Sequence, residues 1–213
     1  MKSLNLFSLC AVLSIFFGAQ ASWADCIDAA METKKRGIHG VVVSFEGLAS
    51  HGRGYVRNGL IKPTPSSLAK KFTSLSYPYT RGSEAANCLL DYYQVHGNRL
   101  AIFVIGHSFG AGIALFDFFE SLPKALPIRG VISLDPRSWS SDSTYRKSRD
   151  PFVFSIQGYG KSLPWWNFYQ TGSFRGYLVK GAGNSYLDGV SHTGLPKHEV
   201  VRNTYLKMLQ SNL

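Results

Sequence analysis

Apolar positions along this chain fall into two patterns, short continuous runs and stretches in which they recur at helical spacing. Residues 38–45 (IHGVVVSF), 100–105 and 128–134 (IRGVISL) are continuous runs, the signature of strands covered on both faces. Residues 82–96 place Ala85, Ala86, Leu89, Leu90 and Tyr93 on one side of a helix, and residues 197–211 do the same with Val200, Val201, Tyr205, Leu206, Met208 and Leu209. A helix over 108–122 follows the run at 100–105, and another over 66–72 follows Pro63 and Pro65. Shorter extended segments are expected at 75–77, 152–156, 165–170 and 176–179. Strands and helices alternate, with no repeat, low-complexity tract or linker. This predicts one α/β domain built on a mainly parallel sheet, with helices on both faces and right-handed crossovers.

The first 24 residues depart from that pattern. Lys2 precedes a largely apolar, uncharged stretch from Leu4 to Gly18, and small residues at Ala19, Ala21, Ser22 and Ala24 suit cleavage. This reads as a secretory signal peptide, with the domain over 25–213 and a secreted or periplasmic location. A membrane anchor is the rival reading, but the run is short for a span. Of the three cysteines, Cys10 leaves with the leader. Cys26 and Cys88 remain, and in an exported chain they suggest one disulfide, a buried free thiol at Cys88 being the alternative.

The formal charge is +10, with basic clusters at Lys34-Lys35-Arg36, Lys70-Lys71 and Arg146-Lys147-Arg149. Such a surface suits contact with an anionic membrane and also serves solubility. No nucleic-acid-binding motif accompanies it, and no zinc-protease pattern is present. No metal or cofactor is expected. The sequence does not address the oligomeric state.

Chemistry concentrates in Gly106-His107-Ser108-Phe109-Gly110, which lies between the strand at 100–105 and the helix at 108–122. A serine on a sharp strand-to-helix turn has its hydroxyl lifted clear of its neighbours, and the flanking glycines let strand and helix approach closely. The competing reading is a glycine-rich turn whose serine caps the helix. A nucleophilic serine needs a base. His107 should point away from Ser108, and His39 and His96 lie at the wrong end of the sheet. His198 belongs to the last helix, and His51 lies in a loop after the first strand. His192, in the loop Asp188-Gly189-Val190-Ser191-His192-Thr193-Gly194, is the leading candidate. Asp135, closing the strand at 128–134 ahead of Pro136, is the expected orienting acid. Asp188 is its rival, with Asp142 and Asp150 weaker. The oxyanion would sit on the amides of Phe109 and Leu48, the latter in the loop after the first long strand.

The order GHSFG, then LDP, then SHTGLP resembles the α/β-hydrolase superfamily, particularly its small lipase- and esterase-like members, over roughly residues 38–211. Phe45-Glu46-Gly47-Leu48 takes the place of the lipase His-Gly-aromatic segment, with Glu46 where the histidine would be. Asp135 resembles the acid of pancreatic-type lipases. Many other members carry the acid one strand later, where this sequence offers Gln157-Gly158 and no carboxylate. The resemblance implies a serine esterase acting on a small-molecule or lipid ester; the leader makes it an exported one, and the short segments between core elements, except 136–150 and 158–175, leave little room for a large lid domain. A thioesterase, an amidase or an acyltransferase would use the same groups. A hydrolase-fold binding protein at a membrane or envelope surface is the non-catalytic alternative. The aromatic stretch containing Tyr159, Leu163, Trp165, Trp166, Phe168 and Tyr169 reads equally well as an acyl-chain wall or as core packing.

Overall fold

The structure, a computed structural model, describes residues 23–48, 53–123, 126–137, 163–172 and 176–213. Among these residues six strands form one sheet in the order β2-β1-β3-β4-β5-β6. They are β1 (Gly40–Glu46), β2 (Phe72–Pro78), β3 (Ala101–His107), β4 (Ile128–Leu134), β5 (Trp165–Tyr169) and β6 (Gly183–Tyr186). Every neighbouring pair is parallel. The chain steps outward from β1 to β2 and then crosses to the other side of β1 to form β3. The topological switch point therefore lies between β1 and β3, where ligands of open α/β sheets bind.

The side chains of each strand alternate between two helical layers. Val41, Val43, Phe45, Ile102 and Val104 face one layer, with α1 (Trp23–Lys35), α3 (Gly82–His96) and α4 (Leu115–Ser121). Val42, Phe103, Ile105, Ile132 and Leu134 face the other, with α5 (Glu199–Gln210) and the short α2 (Ser66–Ala69). Continuous apolar runs are what a strand buried on both faces requires. This is the mainly parallel α/β sheet with helices on both faces that the sequence leads one to expect, and no lid domain is present among the described residues.

Several elements differ from the sequence reading. The helix expected over 66–72 stops at Ala69, and residues 72–78 form edge strand β2, longer than the segment expected at 75–77. The helix expected over 108–122 opens with a π-helical turn at Gly110–Ala114 before α4 begins. The final helix starts at Glu199, behind a 3-10 turn at Leu195–Lys197. Among the described residues four elements had no expectation: α1, the π-helical turn Arg57–Ile61, the 3-10 turn Gly97–Arg99 and β6. The segment at 176–179 contributes one bridge residue, Val179, rather than a strand. The aromatic stretch is core where it is described: Trp165 and Phe168 are buried in opposite layers and Leu163 packs against the first. Core packing thus holds for Trp165 and Phe168, while Trp166 and Tyr169 are half-buried. The leader up to residue 22, the segment expected at 152–156, Tyr159, His51, Asp142, Asp150 and the Arg146-Lys147-Arg149 cluster lie outside the described residues.

A buried polar cluster joins β4, β5 and β6. Trp165 Nε1 donates to Ser133 Oγ (2.9 Å), and Ser133 Oγ donates to Asn167 Oδ1 (2.7 Å). Asn167 Nδ2 donates to Tyr177 O (2.9 Å) and to Asn184 Oδ1 (2.8 Å). The Val179 amide donates to the same Asn184 oxygen (2.8 Å). Each buried polar atom is thus matched, and the segment from Tyr177 to Val179 is pinned to the sheet.

Cys26 and Cys88 form a disulfide with their α-carbons 5.4 Å apart, tying α1 to α3. Their separation of 62 residues closes a long loop in the unfolded chain. Chain-entropy reasoning for a loop of that length puts the stabilisation at about 4 kcal/mol. The double variant Cys26→Ser/Cys88→Ser is expected to lose about that much in urea denaturation. A linked tryptic peptide pair should appear in mass spectra of the unreduced protein; two alkylatable thiols would contradict the bridge.

Candidate active site

Ser108 directly follows β3 and adopts a left-handed backbone conformation, φ 58°. A non-glycine residue there is strained, and the surroundings hold it. Its amide donates to Leu134 O (2.8 Å), and its carbonyl accepts from the Ala111, Gly112 and Arg137 amides (each 3.0 Å). The glycines of the elbow are forced by close approach. A Cβ on Gly106 would lie 2.6 Å from Ala111 Cα, and one on Gly110 would run into the Phe45 carbonyl. Gly47 is equally constrained, since a Cβ there would stand 2.6 Å from Ser108 Cβ and 3.2 Å from Ser108 Oγ. The loop after β1 therefore lies directly against the serine.

Glu46, standing where lipases carry histidine, has a structural duty. Its buried carboxylate accepts from the amides of Val56 (Oε2, 3.2 Å) and Arg57 (Oε1, 3.0 Å). It caps the helical turn that begins at residue 55 and so fixes the far end of the loop containing Leu48. Gly59 in that turn packs on the Pro196 backbone, which sets the position of the loop that contains His192.

Asp135 closes β4, also with positive φ, 45°. It is fully buried, and four donors surround its carboxylate. Oδ1 accepts from the Gln170 amide (2.9 Å) and the Gly176 amide (3.1 Å). Oδ2 accepts from Gln170 Nε2 (2.9 Å) and bonds His192 Nδ1 (2.9 Å). With Nδ1–H directed at the carboxylate, the lone pair of His192 Nε2 is left for proton transfer. The rival Asp188 is elsewhere engaged, accepting from Tyr186 Oη at the surface (2.9 Å).

His107 is buried, and its ring lies 4.6 Å from that of His192, centroid to centroid. Its Nε2 donates to the His192 carbonyl (2.9 Å), bracing the loop. Desolvation, reinforced by neighbouring His192, pushes its pKa down to about 4. The other described histidines stand apart. His39 and His96 meet through their Nδ1 atoms (3.4 Å) near α1, at the amino ends of the strands, and His198 Nδ1 caps α5 by accepting from the Val200 amide (3.3 Å).

Ser108, His192, Phe109 and Leu48 line one cavity of about 760 Å³, together with Gly47, Tyr55, His107, Arg137, Gln170 and Val190. Leu48 is 46% exposed, beside open solvent. Each contributing loop follows the carboxyl end of a strand: β1 (Gly47, Leu48), β3 (Ser108, Phe109), β4 (Asp135, Arg137), β5 (Gln170) and β6 (His192). Sequence reasoning missed Gln170 and the bracing role of His107. The residue just beyond the strand after β4 is Gln170, at the end of β5; Gln157, expected there, lies outside the described residues. Among the described residues no group of three or more His, Cys, Asp or Glu side chains forms a metal site. The arrangement supplies a hydroxyl on a strained turn at the cavity wall, a carboxylate-oriented imidazole and an adjoining apolar cavity, the parts needed for acyl transfer.

No family model matches the chain, and no curated protein matches its sequence. Among solved structures it is similar to a chain from Pectobacterium atrosepticum whose assignment as a YdeN-like hydrolase is itself provisional. The identity is 13% and the TM-score 0.49, over 88% of this chain and 98% of that one. It is also similar to a protein of unknown function from Staphylococcus aureus, at 14% identity and TM-score 0.47, over 82% of this chain and 89% of that one. Both likenesses are of backbone shape, so the chemistry has to be read from the residues themselves.

His107 makes the stability of this site pH-dependent. Its pKa is lowered on folding from the ordinary value of 6.5 to about 4. The unfolded chain therefore binds the extra proton first as pH falls. The stabilisation is complete above about pH 6.5 and is lost on acidification toward about pH 4, on the order of 3 kcal/mol in all. His107→Phe keeps a ring against His192 but does not titrate. Between neutral pH and about pH 4 its unfolding free energy should fall less steeply than that of the unsubstituted protein, with urea titrations at several pH values as the measurement.

Proposed function

We propose that the protein is an exported serine hydrolase that cleaves carboxylic esters, of lipid-like character, through Ser108, His192 and Asp135. The observation that carries this reading is the His192 Nδ1 to Asp135 Oδ2 bond of 2.9 Å. It sets the imidazole over the cavity that Ser108 also lines. In the proposed cycle His192 Nε2 accepts the hydroxyl proton as Ser108 Oγ attacks the ester carbonyl. Asp135 holds the ring in the tautomer this requires and offsets the charge it acquires. The tetrahedral oxyanion rests on the amides of Phe109 and Leu48. Collapse expels the alcohol, which takes its proton from His192. Water activated by the same imidazole then frees the acid product from Ser108.

Leu48, Tyr55, Phe109 and Val190 favour an apolar acyl group, and the cavity volume suits a short to medium chain. The Cys26–Cys88 disulfide fits an oxidising destination, and the leader-like first 24 residues supply the route. The basic surface favours an anionic membrane as the place of action. Thioesters, amides and acyl acceptors other than water call on the same parts, so a panel of p-nitrophenyl esters, thioesters and anilides of graded length defines the preference.

Ser108→Ala should abolish fluorophosphonate labelling and lower ester turnover by about 10⁴–10⁶-fold while the protein stays folded. Undiminished turnover by the folded variant would sink the proposal, and a protein that never turns over esters, thioesters or anilides would favour the binding-protein alternative.

Asp135→Asn separates the acids. Two backbone amides hold the Oδ1 position, so the new amide nitrogen must take the Oδ2 position, facing donors from Gln170 and His192. Activity should fall by roughly 10³–10⁴-fold through the wrong imidazole tautomer. Asp188→Asn, at the surface, should stay within about threefold of the unsubstituted enzyme. The reverse ranking would move the acid to Asp188.

A further inference from the structure

Gln170 stands at the end of β5, is buried, and is a neutral residue with no part in the proton transfers described above. Its contacts are nonetheless directed at the chemistry. Its backbone amide reaches Asp135 Oδ1 and its side-chain Nε2 reaches Asp135 Oδ2, each at 2.9 Å. That second oxygen is the one bonded to His192 Nδ1. The orientation of the Gln170 amide is decided by its other end, since Oε1 accepts from the Gly172 amide at 2.6 Å. With the oxygen so engaged, the NH₂ group must face the carboxylate. Asp135 is thereby clamped on both oxygens by one residue. The direction from which His192 can approach Oδ2 is what the clamp leaves open.

We propose that Gln170 is a positioning residue of the active site: by donating to Asp135 Oδ2 it fixes the carboxylate plane and so the orientation of His192. The inference rests on the serine-hydrolase reading for its kinetic consequences, but not for the geometry it asserts. A side chain that only filled space would be replaceable by any apolar residue of its length. A side chain that acts by donating a hydrogen bond would not be.

The test uses the full chain with two substitutions. Gln170→Met keeps the length and removes the donor. Gln170→Glu keeps the shape and the Gly172 contact but sets a carboxylate oxygen against Asp135 Oδ2. When ionised, that oxygen repels the acid; when protonated, it donates to it as glutamine does. On a p-nitrophenyl ester, Gln170→Met should lower kcat by about 10–100-fold with KM within about twofold, because what is lost is orientation in the transition state. Its activity relative to the unsubstituted enzyme should be the same at every pH. Gln170→Glu should be impaired near neutral and alkaline pH, and its relative activity should climb as pH falls and the pair takes up a shared proton. Full kcat in both variants would overturn the proposal, as would pH-independent ratios for both.

A readout that needs no turnover separates this proposal from the hydrolase reading. The His192 Nδ1–H proton, assigned by its disappearance in His192→Gln, should give a downfield NMR signal that Gln170→Met shifts or broadens. A signal unchanged in Gln170→Met overturns the positioning role even in an active enzyme. A changed signal in a protein without activity supports the role and sinks only the reaction. Should Gln170→Met fail to fold, Gln170→Glu at low pH, where both side-chain contacts are retained, carries the test alone.

Discussion

A carboxylate taken fully out of water is tolerated only where donors replace its hydration, and meeting that demand at Asp135 organises much of the molecule. Its donors come from three separate stretches of chain: the end of β5, the segment at Gly176 and the loop before the last helix. Gly176 can deliver its amide only because it lacks a side chain, since a Cβ there would collide with the Asp135 backbone. That segment is held in turn by the Asn167 and Asn184 amides, which bond Tyr177 and Val179. The buried polar cluster under the site is therefore part of what holds the acid.

Asp135 and Ser108, at the ends of adjacent parallel strands, both have positive φ. Each such residue costs on the order of 1–3 kcal/mol and persists only where its surroundings over-determine it. Here the two turns brace one another. The Ser108 amide bonds the Leu134 carbonyl, one residue before Asp135, and the Arg137 amide, two residues after it, bonds the Ser108 carbonyl. The Ser108 and Asp135 turns form one unit, so moving either would disturb both. The loop after β1 closes against this unit at Gly47, and Glu46 anchors that loop from below by capping the next helical turn.

The legible parts of the chain were those whose physics leaves a local pattern. β1, β3 and β4 announce themselves as apolar runs because both faces are buried, and α3 and α5 by their single apolar face. The elbow glycines were readable because close approach admits nothing larger. α1 was hidden because it begins where the leader-like stretch ends. β6 was hidden because all four of its residues are exposed and polar or small apart from Tyr186, leaving no alternation to detect. β2 was read too short, at 75–77, because an edge strand with one half-buried face carries little pattern. Gln170 was invisible for a different reason: a neutral amide acquires its meaning only from the carboxylate across from it, and that partner is 35 residues away in sequence.

The pairing of two imidazoles at the heart of the site follows from the same electrostatics. His107 and His192 lie with ring centroids 4.6 Å apart, a separation at which two positive charges would oppose each other strongly. In the proposed cycle His192 must become imidazolium each time Ser108 is activated. A neighbour that shared that charge would raise the barrier; a neighbour that stays neutral does not. Burial ensures neutrality, since desolvation holds His107 at a pKa of about 4. Its Nε2–H is meanwhile used to hold the His192 backbone. One ring is then held by Asp135 while the other serves as a dry, uncharged support, and the division follows from where each is placed: His107 sealed beneath the elbow, His192 on a loop open to the cavity.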